Sequence, residues 1–133
     1  MPGYLLDANV ISALMHAPLG RVAQRVARAG EGNVFTSVVV AAELQYGGLK
    51  RPSVRLDAAL ATVFEELEIK ALEASVIVHY ARVRAGLERA GNPIGANDML
   101  IAAHALDLNA TLVSDNEREF ARVEGLRLEN WLR

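Results

Sequence analysis

At 133 residues and 52% hydrophobic content, the chain is long enough for one domain with a real core, and it lacks the low-complexity tracts of a disordered segment. A formal net charge of −2 gives no bulk signature of nucleic-acid binding, and the absence of cysteine excludes disulfides, zinc–thiolate sites, iron–sulfur clusters and cysteine nucleophiles. No apolar stretch approaches the roughly 20 residues of a membrane span. The start, Met1-Pro2-Gly3-Tyr4-Leu5-Leu6-Asp7, has no basic leader, so a cytoplasmic protein is expected. Of the 14 Lys and Arg, only Lys50 and Lys70 are lysine. That bias suits bidentate phosphate recognition, and an Arg-rich codon usage would produce it equally well.

In chain order, Tyr4 to Leu6 reads as a short buried strand. Val10 to Met15 reads as a helix with Asn9 as its cap, broken at Pro18. Leu19 to Ala29 is an amphipathic helix, with Val22, Val26 and Ala29 on one side and Arg21, Arg25 and Arg28 on another. Gly30 to Asn33 forms a loop, and Val34 to Thr36 a second strand. Ser37 caps a helix from Val38 to Tyr46, which Gly47-Gly48 is expected to end. Val54 to Leu67 is helical and broadly apolar. Glu68 to Lys70 is a weak third strand, and Ala74 to Ala90 a further helix. After the loop Gly91 to Gly95, a buried helix starts at Ala96 or Asn97 and runs to Leu108. Thr111 to Val113 is a strand, Asn116 to Phe120 a short helix, and Leu126 to Leu128 a last strand edge. Strands alternating with helices imply an α/β fold with a mainly parallel sheet and helices on both faces. No linker or internal repeat divides the chain, so residues 1–133 are read as a single domain.

Four acids sit where the apolar segments stop. Asp7 ends the first strand, Asp98 opens the buried helix, Asp115 follows the strand Thr111 to Val113, and Glu43 lies inside the mostly apolar stretch Val38 to Leu44. In a parallel sheet such positions converge on the carboxyl edge. Four carboxylates meeting there repel one another unless a divalent cation neutralises them. Such a cation polarises a phosphate ester, activates water and stabilises the leaving oxyanion, and a spare carboxylate can orient the water or serve as base. A metal-dependent phosphoesterase is therefore the first hypothesis. Each acid alone has a plainer reading: Asp98 as a helix cap, Asp115 as a turn residue, Asp7 as the start of an Asx-turn. Glu43 is harder to dismiss, because carboxylates are rarely buried without partners.

The segments around these acids carry a resemblance. Leu5-Leu6-Asp7-Ala8-Asn9-Val10-Ile11-Ser12, Ala42-Glu43-Leu44-Gln45-Tyr46-Gly47, Asn97-Asp98-Met99-Leu100-Ile101-Ala102-Ala103-His104-Ala105 and Leu112-Val113-Ser114-Asp115-Asn116 through Glu119-Phe120 resemble, in order, the signatures of PIN-domain ribonucleases of the VapC toxin family. The tail Val123 to Trp131 is similar as well. The resemblance implies a PIN-like three-layer α/β/α nuclease domain with a central sheet of about five strands. It places Asp7, Glu43, Asp98 and Asp115 on the family's acidic quartet, as metal ligands and catalytic residues. The fourth position varies within the family, so Glu119 competes with Asp115. It further implies Mg²⁺ or Mn²⁺, hydrolysis of an RNA phosphodiester to 5′-phosphate and 3′-hydroxyl ends, a homodimer, a VapB-like antitoxin that blocks the site, and contact with operator DNA only through that antitoxin.

Asn9, Asn97 and Ser114 neighbour the acids and can support them by hydrogen bonds, although capping and strand-end bonding explain them too. His104 follows Asp98 by six residues, about 240° around a helix, so it points away from that acid and reads as a packed histidine. The Arg21, Arg25 and Arg28 stripe, and the group Lys50, Arg51 and Arg55, are candidate RNA-tracking surfaces or simply solvated faces. Trp131 reads as a packing anchor. The broad apolar face of Val54 to Leu67 is a candidate surface for antitoxin or dimer. Two other functions fit part of the pattern. An aspartyl-phosphate phosphatase would use Asp7 as nucleophile but wants a second Asp where Asn9 stands. A catalytically silent PIN-fold binding subunit would need no metal.

Overall fold

The computed structural model describes residues 3–133; the two residues that begin the expected leaderless start, Met1 and Pro2, lie outside the described residues. The core is a five-stranded sheet formed by β1 (Tyr4–Leu6), β2 (Val34–Ser37), β3 (Glu68–Lys70), β4 (Thr111–Val113) and β5 (Leu128–Glu129). Their order is β3-β2-β1-β4-β5, and every pairing is parallel. Tyr4, Leu5 and Leu6 stand opposite Val34, Phe35 and Thr36 on one side and Thr111, Leu112 and Val113 on the other. β1 is thus the central strand, and Leu5 and Leu6 are wholly buried, as expected where helices cover a parallel sheet on both faces.

Between the strands run α1 (Ala8–His16), α2 (Arg21–Ala29), α3 (Val38–Lys50), α4 (Val54–Glu66), α5 (Val76–Ala90), α6 (Ala96–Asp107) and α7 (Glu117–Phe120). α1 packs on α2, α3 and α4, α5 lies along α6, and α3 also meets α6. Right-handed crossovers explain the grouping: the chain steps one way from β1 to β3 and the other way from β3 to β5, which sends the two sets of helices to opposite faces. The direction reverses between β1 and β4, the point where open α/β sheets form a ligand crevice at their carboxyl edge.

Several element ends differ from expectation for local reasons. α1 is capped by Asp7 rather than Asn9, because the Asp7 side chain accepts the Ala8 N–H. α2 starts at Arg21, after the exposed Pro18-Leu19-Gly20 turn. The expected loop Gly30 to Asn33 winds into a single 3-10 turn, Glu31–Asn33. α3 does not stop at Gly47-Gly48 but continues to Lys50. Glycine costs a helix only about 1 kcal/mol, whereas Pro52 excludes helical geometry at Arg51, and there the helix ends. Ser37 caps α3 as expected, accepting from Val39 N–H at 3.1 Å. The last strand is shifted to Leu128–Glu129, where Ser114 N–H reaches Glu129 O at 3.0 Å.

Candidate active site

Asp7 leaves β1 directly into α1, so its carboxylate is held at the carboxyl edge of the central strand and is only 5% exposed. One oxygen accepts from Ala8 N–H at 2.9 Å, and the other from the Ser114 hydroxyl at 2.7 Å. Ser114, fully buried at the end of β4, also accepts from Asn116 N–H at 3.0 Å and from the Asn9 amide at 3.4 Å. Its one proton and two lone pairs are thereby all used, which fixes its rotamer and the Asp7 carboxylate with it. Asn9 completes the tie between the two strand ends: its oxygen accepts from Asp115 N–H at 3.0 Å, and its amide approaches Asp7 at 3.5 Å.

Across the crevice, Asp98 lies in the first turn of α6, half-buried. Glu119, on the last turn of α7, hydrogen-bonds it side chain to side chain. Asn116 serves both acids, its amide donating to Glu119 at 2.6 Å and reaching Asp98 at 3.5 Å, and Gly95 N–H supports Glu119 at 3.3 Å. Glu43 comes from α3, with the Asn97 side chain hydrogen-bonded to it. Position at a helix start favours an anionic Asp98, yet the opposite wins. Burial first, then the charges of Glu119 and Asp7, the hydrogen bond to Glu119 and the charge of Glu43, push Asp98 up to about 7. Glu43 is raised as well, chiefly by burial and also by Asp7, with the Asn97 hydrogen bond opposing. Glu119 is lowered, first by the Asn116 hydrogen bond. Of the coupled pair, Asp98 is the acid pushed toward its protonated form and Glu119 the one favoured as the anion.

The structure thus brings Asp7, Glu43, Asp98 and Glu119 to one crevice, with Asn9, Asn97 and Ser114 as their supports. Asp115 is turned aside: it is exposed, and its carboxylate accepts from the Asn130 amide at 2.9 Å. Asn116 and Asn130 were not singled out from the sequence: Asn116, just before a helix, reads first as a cap, and Asn130 lies far along the chain from the acids it meets. The one available signal was their position beside the fourth signature and in the familial tail.

The remaining candidates fall away from the crevice. His104 is fully buried with Nδ1 2.7 Å from Ser37 Oγ, and burial holds its pKa below the usual value. The arginine stripe of α2 is largely committed to the chain end. Arg25 pairs with Glu129 at 3.2 Å and lies over the Trp131 ring, and Arg21 donates to Leu132 O at 3.1 Å. Trp131 is 1% exposed, its ring 5.1 Å from Tyr4 and tilted 54° to it, with Nε1 donating to Glu129. α4 buries Leu60 and Val63, while Val54 at its start is open to solvent.

The donors fit a hard divalent cation by chemistry: they are carboxylate oxygens whose mutual repulsion is relieved only by a proton on Asp98. Among the described residues, however, no three His, Asp or Glu side chains stand close enough to close a cage as they are. A cation would draw Asp98, Glu119 and Glu43 inward from their present hydrogen bonds to Asn116 and Asn97, while Asp7 is already held.

The model of the PIN domain matches residues 4–126. Ribonuclease VapC2 of Rickettsia felis is 38% identical over 130 residues, covering 96% of this chain and 97% of that protein. The tRNA(fMet)-specific endonuclease VapC of Shigella flexneri is 32% identical over 129 residues, with 96% and 97% covered. Among solved structures, VapBC2 from Rickettsia felis bound to a DNA fragment from their promoter superposes with a TM-score of 0.88 at 35% identity, over 96% of this chain and 98% of that one. The chain belongs to the PIN-domain family and, within it, to the VapC ribonucleases. Among its described residues no helix is long and apolar enough to cross a membrane.

Proposed function

We propose that the protein is the RNA-cleaving toxin of a toxin–antitoxin pair, a Mg²⁺- or Mn²⁺-dependent endoribonuclease held in check by a VapB-like antitoxin. The observation that carries the metal dependence is the unrelieved charge at the crevice, where Asp98 is pushed up to about 7 by burial and three neighbouring carboxylates. The bound cation supplies Lewis acidity toward the scissile phosphate and a lowered pKa for the attacking water. The chain's own groups do the rest. Asp7, locked by Ser114 and Ala8 N–H, is the fixed donor. Asp98 and Glu119 provide the opposite wall, with Asn116 aligning both. Glu43, whose raised pKa suits it to take a proton, acts as the base for the water, with Asn97 orienting its carboxylate.

Glu119 rather than Asp115 is proposed as the fourth acid, since the Asp115 carboxylate is engaged by Asn130. The antitoxin and any homodimer partner find exposed apolar side chains on α3 and at the start of α4: Tyr46, Leu49 and Val54 are 64%, 74% and 91% exposed. Operator DNA is reached through the antitoxin, and the working compartment is the cytoplasm. The phosphatase alternative gains nothing from Asn9, which donates toward Asp7 where a second Asp would be needed. The test is cleavage of RNA by the purified protein with Mg²⁺ or Mn²⁺ and with EDTA. Cleavage leaving 5′-phosphate ends, abolished by EDTA and by Asp7→Ala or Asp98→Ala in folded protein, is the expected result. Undiminished cleavage by either pure variant contradicts it.

A further inference from the structure

A second concavity, of about 590 Å³, lies between α5, α6 and the turn after α7. Arg82, Arg89 and Arg122 line it, with Glu124 on its rim. Its floor includes Val83, Leu87 and Val123, all buried. Arg82 and Arg89 are seven residues apart on α5, hence on the same face and about 10 Å apart along the axis. Both are exposed, and among the described residues neither is in an ion pair. Their neighbour Arg84 behaves differently, bound to Glu88 and Tyr80 on its own helix. At the far end His79 faces Asp107 at 3.7 Å. In a chain of net charge −2, this is a local concentration of guanidinium groups, two of them outside any ion pair among the described residues.

The loop between α5 and α6 and the end of α7 tie the groove to the acidic crevice. Arg122 follows Glu119 by three residues and donates to Pro93 O at 3.0 Å. Pro93 belongs to the loop between α5 and α6, in which Gly95 N–H supports Glu119. Arg89 ends α5 just before that loop, and Asp98 begins α6 just after it. A polyanion whose reacting phosphate sits at the acids therefore has cations waiting along one exit and an apolar floor for sugar and base faces. An acidic protein segment would meet the same arginines but has no sugar and base faces to lay on the apolar floor.

We infer that this groove binds the phosphodiester backbone of the RNA to one side of the cleavage point, with Arg89 and Arg122 next to the acids and Arg82 farther along. The inference rests on the nuclease reading of the crevice. Arginine is suited to the task because its planar fork grips phosphate oxygens bidentately.

The test uses the full chain carrying Arg82→Glu together with Arg89→Glu, and the neutral pair Arg82→Gln and Arg89→Gln, each checked for an unchanged melting temperature. Affinity for a fluorescent single-stranded RNA, short or long, is measured by anisotropy in EDTA across a salt series, and cleavage of both RNAs is measured with Mn²⁺. The long RNA should bind at least about tenfold more weakly to the charge-reversed protein, with a salt slope shallower by roughly one to two. KM for the long RNA should rise, and by more than KM for the short RNA, which reaches fewer of the arginines. A folded variant with wild-type affinity and salt slope for the long RNA overturns the proposal. So does unchanged RNA binding combined with lost binding of a polyglutamate peptide, which assigns the groove to an acidic protein segment. If the wild-type protein cleaves nothing but its RNA affinity still collapses on charge reversal, the nuclease reading fails and the groove stands.

Discussion

Asp98 keeps a proton that an exposed aspartate loses well below neutrality, and the cause is local: burial together with Glu119, Asp7 and Glu43. The sign of the consequence follows from linkage. With a folded pKa of about 7 against an ordinary value of 3.8, the folded chain binds more protons than the unfolded one between those values. Metal-free stability should therefore fall as pH rises from about 4 to about 7 and stay low above. Melting curves in EDTA should display that decline in the wild-type protein and a smaller one in Asp98→Asn; matching pH profiles would remove Asp98 from the account. At the fourth position, Glu119→Gln should abolish metal-dependent cleavage, and Asp115→Asn should stay within about threefold of wild type, since a change at an exposed side chain is usually worth no more than about 0.5 kcal/mol. The reverse order in an RNA cleavage assay would restore Asp115 to the site. Sequence located both acids but not what holds each, because the Asp115 carboxylate is met by Asn130, which arrives from the chain's tail.

The helices set the site by how they begin. α3 carries Glu43 and starts at Ser37, and α6 carries Asp98 and, about two turns on, His104. Ser37 Oγ accepts from Val39 N–H and lies 2.7 Å from His104 Nδ1, so its own proton is free for the imidazole and the cap is stitched to α6. Ser37→Ala removes the cap and leaves a buried ring nitrogen unpaired, costing roughly 1–3 kcal/mol in chemical denaturation. A loss below about 0.5 kcal/mol would mean that the stitch carries no weight. The His104 pKa is depressed by burial, so its neutral form contributes stability that is fully present above the ordinary value of 6.5 and is lost as pH falls below it. Nothing in the residue pattern pointed to this pair beyond helical phase, which correctly turned His104 away from Asp98. Phase was less use for the arginines: it put Arg21 and Arg25 on one stripe, but whether a stripe is free depends on distant residues such as Glu129 and Leu132.

At the scale of the whole molecule, the alternation of strands and helices was legible because each buried strand is a short apolar run between polar turns. The all-parallel pairing followed from the helices between them. The strand order was not legible: it depends on crossovers rather than on any residue pattern, and it is the reversal between β1 and β4 that brings Asp7 next to Ser114. Element ends shifted by one to four residues where capping and proline geometry outweighed glycine, as at the end of α3. The family signatures named the acids, and the folded chain adds how they are held: Asp7 locked by Ser114, and Asp98, Glu119 and Glu43 resting on asparagines, the arrangement proposed to take a divalent cation. Calorimetric titration with Mn²⁺ just above pH 7 tests this most directly. The account predicts saturable binding by the wild-type protein and by Asp115→Asn, with proton release as Asp98 gives up its proton, and none by Asp98→Asn or Glu119→Gln. Absence of binding to the wild-type protein at millimolar Mn²⁺, or binding untouched by Asp98→Asn, would contradict it.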